Sequence, residues 1–187
     1  MDFKKIACYL SLLLAVASLL PCNGGSQSLG EMKPVPGSKA PVITNAFAAE
    51  TGYYGYIWKI YIEAEDPDGD MLRIASTVDQ PGFGRYPTDF ILLKPQYQKR
   101  FRGYVQWNTY SSKTNYLREW TQITLTVSIQ DKTGNESNAV VFPFTFVSGA
   151  AAPYKPPAPF DQGDLSKIGN ITIDLYEPTL MGNTRDD

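Results

Sequence analysis

A regular alternation of apolar and polar residues is the feature that most limits what this chain can fold into. Residues 56–64 place apolar side chains at every second position: Trp58, Ile60, Ile62 and Ala64. Residues 123–129 repeat the pattern with Ile123, Leu125, Val127 and Ile129. Because successive side chains of a strand point to opposite faces, this period predicts β-strands with one buried face. The opposite face of the first strand, with Lys59, Tyr61 and Glu63, is expected to face solvent.

The same period of two, less regular, predicts further strands. Leu72, Ile74 and Val78 are predicted to continue the core after an acidic turn, and the last core face is predicted to carry Val140, Phe142, Phe144 and Phe146. Pro143 indicates an edge position or a bulge in that last strand, since proline cannot donate to a ladder. About seven short antiparallel strands within residues 41–148 predict an all-β fold, an immunoglobulin-like β-sandwich.

The composition supports a packed domain and excludes several functions. The chain has 187 residues, of which 43% are hydrophobic and 13% aromatic, enough for one domain with a core. A net charge of −2 does not predict a nucleic-acid partner, which needs a basic face. The sequence contains no histidine, which rules out Ser-His-Asp and Cys-His catalysis within the chain. We therefore expect a protein that is not an enzyme.

The N-terminus predicts export. Lys4 and Lys5 precede an apolar run over residues 6–20, which is too short to span a bilayer comfortably. We interpret residues 1–21 as a signal peptide. Cys22 follows at once, and this placement resembles a bacterial lipoprotein signal, which implies that Cys22 carries lipid and anchors the protein to a membrane. Pro21 departs from that pattern, in which a small residue precedes the cysteine.

Two other interpretations of the N-terminus stay open. Ala15-Val16-Ala17 matches an ordinary signal-peptidase site, so that cleavage after Ala17 would release a soluble protein. The segment could instead remain as an uncleaved anchor. Residues 22–40 are rich in Gly, Ser and Pro and are predicted to form a flexible tether between the membrane and the sandwich.

The C-terminal region, residues 149–187, predicts a Pro-rich spacer followed by a strand and a tail. Ile171, Ile173 and Leu175 alternate within residues 167–176. An isolated strand is not stable alone. It either folds back onto its own sandwich or pairs with another molecule to build an assembly or filament.

Two loops carry a resemblance to a known group of domains. Residues 63–72, around Asp66-Pro67-Asp68-Gly69-Asp70, and residues 127–138, around Asp131-Lys132-Thr133-Gly134-Asn135, resemble the turns of bacterial immunoglobulin-like and cadherin-like surface domains. The resemblance implies an immunoglobulin-like fold and a role in adhesion, spacing or protein contact.

The same loops predict a candidate calcium site. Asp66, Asp68 and Asp70 are three carboxylates within five residues, and Asp131 joins them if the two loops share one end of the sandwich. Ca²⁺ is thus the one cofactor that the sequence suggests. The alternative is turn chemistry alone, because Asp, Pro and Gly at these positions favour a β-turn. An EF-hand is excluded, since Thr77 stands where its twelfth-position Glu would be.

Three tyrosines around Gly52 and Gly55 are candidate contacts for a partner. Tyr53, Tyr54 and Tyr56 could stack on sugar rings or fill a pocket of another protein, or else pack on their own loop. The sequence as a whole predicts a non-catalytic, exported envelope protein, outer-membrane-anchored or extracellular, that binds a protein or a polysaccharide. A subunit of an extracellular assembly and a carbohydrate-binding module are the alternatives.

Overall fold

A computed structural model describes residues 35–115, 117–149 and 154–177 of the chain. Within these residues it contains ten strands, a 3-10 turn at Pro95–Tyr97 and no α-helix. The first five strands are β1 (Val42–Ala48), β2 (Thr51–Gly52), β3 (Ile57–Glu65), β4 (Met71–Gln80) and β5 (Gly84–Arg85). The others are β6 (Asp89–Leu92), β7 (Arg100–Asn108), β8 (Gln122–Asp131), β9 (Val140–Phe146) and β10 (Ser166–Ile171).

The strands form two sheets. One has the order β1-β3-β7-β10, and the other has the order β2-β9-β8-β4-β5, with β6 also paired to β4. Their buried faces share one hydrophobic core. The prediction of an all-β sandwich is therefore confirmed. The expectation of purely antiparallel pairing is wrong for two pairs, because β2 runs parallel to β9 and β10 runs parallel to β7.

The strand order follows the immunoglobulin layout. In that layout the strands A, B, E and D make one sheet, and C, F and G make the other. Here β1, β3 and β7 stand in the places of A, B and E, while β4, β8 and β9 stand in those of C, F and G. The place of strand D belongs to β10, which comes from the C-terminal region.

The alternating residues form the core as predicted. Trp58, Ile62, Leu125 and Phe144 are at most 1% exposed. Trp58 is fully buried between the sheets, with its ring centroid 6.0 Å from that of Trp107 and 4.5 Å from that of Phe144. These large rings come from both sheets and fill the space between them, and burying each one stabilises the fold by a few kcal/mol (about 1.5–3 kcal/mol for a Phe).

Two burial predictions are wrong. Met71, rather than Leu72, is fully buried, because the register between β4 and β8 shifts between Met71 and Arg73. Such a β-bulge inserts one residue and changes which side chain faces inward. Tyr61 was expected to face solvent but is only 8% exposed.

The Pro-rich segment explains the burial of Tyr61. Phe160 lies with its ring centroid 5.6 Å from Tyr61, and Tyr154 lies 5.8 Å from Phe47. The described part of this segment, from Tyr154 onward, thus packs along the outer face of the first sheet. The interpretation of this part as a spacer is wrong, because its aromatic residues add a second buried layer.

The C-terminal strand folds back onto its own domain. β10 pairs with β7 from Ser166↔Gly103 to Ile171↔Trp107. Side chains of the sandwich bind the backbone of the residues that follow: Trp107 Nε1 donates to Ile173 O at 3.0 Å, and Ser111 Oγ donates to Leu175 O at 2.5 Å. In the described structure, β10 therefore pairs within its own chain rather than with another molecule.

Several predictions fall outside the described residues. The signal peptide, Cys22, most of the tether and the last ten residues are among them. Within the described part of the chain, no helix has the length and apolarity needed to cross a membrane. The domain boundaries stay predictions.

Candidate functional site

The sandwich has two chemically different ends. β3 runs from the tyrosine loop at residues 53–56 to the acidic turn at residues 66–70, and β8 runs from the loop that contains Trp120 to Asp131. We call the end with residues 66–70 and 131–135 the acidic end. We call the opposite end, which carries Tyr53, Tyr110 and Trp120, the aromatic end.

The two acidic loops meet at the acidic end, as the calcium hypothesis requires. Lys132 N donates to Asp70 O at 3.1 Å, and Met71 pairs with Asp131 across the sheet. Asp66 is 2% exposed and Asp131 is fully buried. The structure therefore brings carboxylates of both loops into one region.

The buried carboxylates bind their own loops. Asp66 accepts hydrogen bonds from the backbone N–H groups of Asp68, at 2.9 Å, and Asp70, at 3.1 Å. Asp131 accepts from the N–H groups of Thr133 and Asn135, at 2.9 and 2.8 Å. Burial raises the pKa of Asp131, but hydrogen bonds from Asn135 and Thr133 outweigh burial and lower it overall. Both residues thus act as turn caps.

Asp70 is the unsatisfied member of the cluster. Burial raises its pKa to about 6, and a side-chain hydrogen bond with Asp66 and the charges of Asp131, Asp66 and Asp68 act in the same direction. Its Oδ1 atom is buried and has no hydrogen-bond partner in the described structure. The ionised form of Asp70 is therefore unfavourable where it lies.

The geometry of the acidic end as described gives the calcium hypothesis no support. Among the described residues, no group of three or more His, Cys, Asp or Glu side chains could hold a metal. Both oxygens of Asp66 and of Asp131 are directed to donors of the protein itself. The geometry matches the turn-chemistry alternative, and calcium binding stays a prediction.

The N-terminal segment reaches the domain at the acidic end. Lys39 N donates to Asp68 Oδ2 at 2.7 Å, and Val35 N donates to Thr133 O at 3.1 Å. Asn135 Nδ2 donates to Ser38 Oγ at 2.8 Å. The expectation of a flexible tether up to residue 40 is therefore wrong for residues 35–40, which the two loops hold in place.

Only one of the three predicted tyrosines is available at the aromatic end. Tyr53 is 42% exposed. The Tyr54 hydroxyl lies 2.5 Å from Thr114 O and accepts from Ser111 N at 3.1 Å, so this side chain holds a loop together. Tyr56 stacks on Phe144 at 6.1 Å between centroids, and burial raises its pKa although a hydrogen bond with Tyr154 lowers it. These two residues match the packing alternative.

The structure adds two exposed aromatic residues that the sequence analysis missed. Tyr110 is 58% exposed and Trp120 is 70% exposed. Both lie in loops, where period-two alternation is silent. A signal was present for Trp120, because a tryptophan that directly follows two charged residues, outside any alternating segment, has no predicted place in the core.

Trp120 has a strained backbone. Its φ angle is +69°, and it is the only residue other than glycine with a positive φ in the described structure. Thr121 N donates to Arg118 O at 3.0 Å, which makes Trp120 the third residue of a turn, a place that usually takes Gly or Asn when φ is positive. An L-residue pays roughly 1–2 kcal/mol for this conformation. Trp120 N donates to Phe146 O at 2.7 Å, which holds the turn against the sheet.

Comparisons with known proteins identify no relative of known function. No family model matches the chain, and no curated protein matches it. Among solved structures, the chain is similar to the PKD domain of an M14-like peptidase from Thermoplasmatales archaeon SCGC AB-540-F20, with a TM-score of 0.39 and 16% sequence identity. The match covers 59% of this chain and 99% of that chain. A likeness at this level carries no argument about function, which has to come from the residues themselves.

Proposed function

We propose that this chain is an exported, lipid-anchored protein of the bacterial cell envelope whose sandwich is a non-catalytic binding or structural module. The N-terminal sequence carries the proposal: a Lys pair, an apolar run at residues 6–20 and a cysteine directly after it. The sandwich then acts as a rigid scaffold for loops that contact a partner.

The position of chain entry supports this role. Residues 35–40 are bound to the loops of the acidic end, so the chain enters the sandwich there. Strands of nine or ten residues separate the two ends, a span of about 30 Å at roughly 3.3 Å per residue. The aromatic end is therefore the end opposite the point of chain entry.

The mass of the mature protein from its native host tests the anchor. We expect a chain that starts at Cys22 and carries acyl groups. Cys22→Ser should lose the acyl mass and move from the membrane fraction to the soluble fraction. Cys8→Ser is the matched control, because Cys8 lies in the removed signal peptide and its loss should change neither result.

Two outcomes of the same measurement contradict lipid anchoring. A mature chain that starts at Ser18 without lipid indicates ordinary secretion. A chain that retains Met1 indicates an uncleaved anchor. Either result would leave the sandwich unchanged but would replace the proposed mode of attachment.

Calcium binding by Asp66, Asp68, Asp70 and Asp131 is a separate hypothesis about the acidic end. One observation favours it: a cation near the buried Oδ1 of Asp70 would relieve the charge that makes this group unfavourable. Binding to the folded state raises Tm by mass action. We therefore expect a higher Tm in millimolar Ca²⁺ than in EDTA, with Mg²⁺ as control, and an unchanged Tm would retire the hypothesis.

A further inference from the structure

The aromatic end keeps an exposed tryptophan in an unfavourable conformation. Trp120 is 70% exposed, so its ring gains little from burial, and its φ of +69° is one that glycine adopts without strain. A side chain that contributes neither core packing nor turn stability has no evident structural role here. Strain of this kind concentrates where a side chain is held for contact with a ligand.

Two further rings are joined to Trp120 through the backbone. Phe146, whose carbonyl accepts from Trp120 N, pairs with Gly52, which precedes Tyr53. Thr109, the residue before Tyr110, donates from its Oγ1 to Tyr53 O at 3.3 Å. Tyr53, Tyr110 and Trp120 therefore extend from neighbouring points of one scaffold.

Inner rings support two of these exposed rings. Tyr53 packs edge-on against Tyr56 at 5.5 Å, and Tyr110 packs against Tyr54 at 5.6 Å. Tyr54 and Tyr56 are themselves held by loop hydrogen bonds and by Phe144. This second layer fixes the positions of the exposed rings before any ligand arrives, which reduces the entropy lost on binding.

The charged residues beside Trp120 are engaged within the protein. Arg118 Nε lies 3.5 Å from Glu177 Oε1, and Glu119 Oε1 accepts from Ser148 N at 3.4 Å. The turn therefore offers an aromatic face whose neighbouring charges are compensated. This arrangement suits an uncharged ligand that has C–H groups to place on ring faces, which carry partial negative charge.

We propose that Tyr53, Tyr110 and Trp120 bind a neutral polysaccharide by stacking on its sugar rings. The inference rests on the proposed function for export, which brings the three rings into contact with extracellular polysaccharides. Pyranose rings have apolar faces edged by hydroxyl groups, which match separate aromatic side chains set among polar residues.

Affinity electrophoresis provides the direct test. The protein as the host makes it, purified in a detergent without sugar groups, is run through gels that contain β-1,3-glucan, hydroxyethylcellulose, mannan or soluble starch. We expect at least one of these neutral polysaccharides to retard the protein. Trp120→Ala and Tyr110→Ala should each weaken that binding at least tenfold. Phe90→Ala removes an aromatic ring that is 45% exposed on β6, away from this end, and should leave binding unchanged.

Tryptophan fluorescence supplies a second readout on the same protein. The sequence has three tryptophans, and Trp58 and Trp107 are buried at 0% and 1% exposure, so the fraction quenched by acrylamide reports on Trp120. The bound polysaccharide should protect this fraction from the quencher. Trp120→Phe keeps a ring and should retain part of the affinity.

Trp120→Gly separates binding from folding. Glycine adopts the positive φ without strain, so this variant should melt at the same temperature as the wild type or higher, yet bind no polysaccharide. A variant that binds like the wild type overturns the proposal.

The remaining outcomes also decide the matter. Failure of all four neutral polysaccharides to retard the wild type overturns the proposal. So does binding to anionic liposomes or to a protein partner through Trp120 in place of the sugars. The N-terminal mass decides the proposed function independently, so a lipidated protein without sugar binding refutes only this inference.

Discussion

At the scale of single residues, Asp70 shows how a favourable turn can hold an unfavourable charge. The turn needs the Asp70 N–H as a donor to Asp66, and this bond keeps Asp70 beside three other aspartates. The Asp70 carboxylate therefore lies close to other carboxylates, and its buried Oδ1 atom has no hydrogen-bond partner in the described structure. With a pKa of about 6, Asp70 stays neutral to a higher pH than an ordinary aspartate, and the neutral form can donate a hydrogen bond to Asp66 as the ionised form cannot.

This environment predicts a pH dependence of stability. The pKa of Asp70 is raised from 3.8 to about 6, so the folded state binds this proton more tightly than the unfolded state. The free energy of unfolding therefore includes a contribution from protonated Asp70. This contribution is fully present below about pH 4 and is lost as the pH rises through about 6. Asp70→Asn should remove this loss and stabilise the protein at pH 7 by about 1 kcal/mol, less than the full shift implies because solvent screens the group.

Urea denaturation at pH 4 and pH 7, in EDTA, measures the effect. The control Asp161→Asn removes the same charge from an exposed position and should not change the difference between the two pH values. An Asp70→Asn protein that is less stable than the wild type at pH 7 would contradict the prediction.

At the scale of elements, β10 is the strand that completes the first sheet. It lies so close to its neighbours that two glycines are required. A Cβ at Gly103 of β7 would lie 2.4 Å from Ser166 O, and a Cβ at Gly169 of β10 would lie 2.4 Å from Ile91 Cγ2. Small residues on both sides let β10 fit between β7 and β6.

Gly103→Ala should therefore displace β10. The added methyl meets a backbone carbonyl, which moves only if the strand moves, and overpacking of this kind costs about 1–3 kcal/mol. Hydrogen exchange of the β10 amides and urea denaturation together measure the change. We expect faster exchange in β10 and lower stability.

A neighbouring substitution gives the control for that experiment. Arg102→Ala alters an exposed side chain of the same strand and should leave exchange in β10 as in the wild type. Unchanged β10 exchange in Gly103→Ala would show that the strand tolerates the methyl group and would refute the argument from close approach.

At the scale of the whole molecule, the described sandwich has two distinct ends and contains its own C-terminal strand. The predicted C-terminal strand is already paired in its own sheet, and Asp89 accepts from both the N–H and the hydroxyl of Thr172, at 3.1 and 2.9 Å. Pairing with another molecule through this strand would first require these contacts to break.

Light scattering on the chain from residue 23 onward tests this consequence. We expect one monomer mass over a hundredfold range of concentration. A mass that rises with concentration would favour the assembly alternative, and Gly103→Ala, which loosens β10, should then increase the effect.

Much of the architecture could be predicted from residues read in order. Trp58, Ile62 and Leu125 are buried as their spacing indicates. Pro143 was predicted to mark an edge or a bulge, and in the described structure β2 pairs with β9 only at Thr145 and Phe146, which leaves one side of Pro143 without a neighbouring strand. The candidate sites were harder to predict from the sequence. Tyr54 and Tyr56 have the same sequence context as Tyr53, yet distant partners such as Ser111 and Phe144 decide that they are structural.

The sequence by itself determined where the long strands of the core lie and which residues of β3 and β8 fill the space between the sheets, because apolar residues at every second position share one face. Tertiary structure alone decided the burial of Tyr61, the raised pKa of Asp70, the place of β10 and the exposure of Trp120. Each of these depends on whether a segment remote in sequence packs over a given surface or leaves it exposed to solvent. Local periodicity does not contain that information.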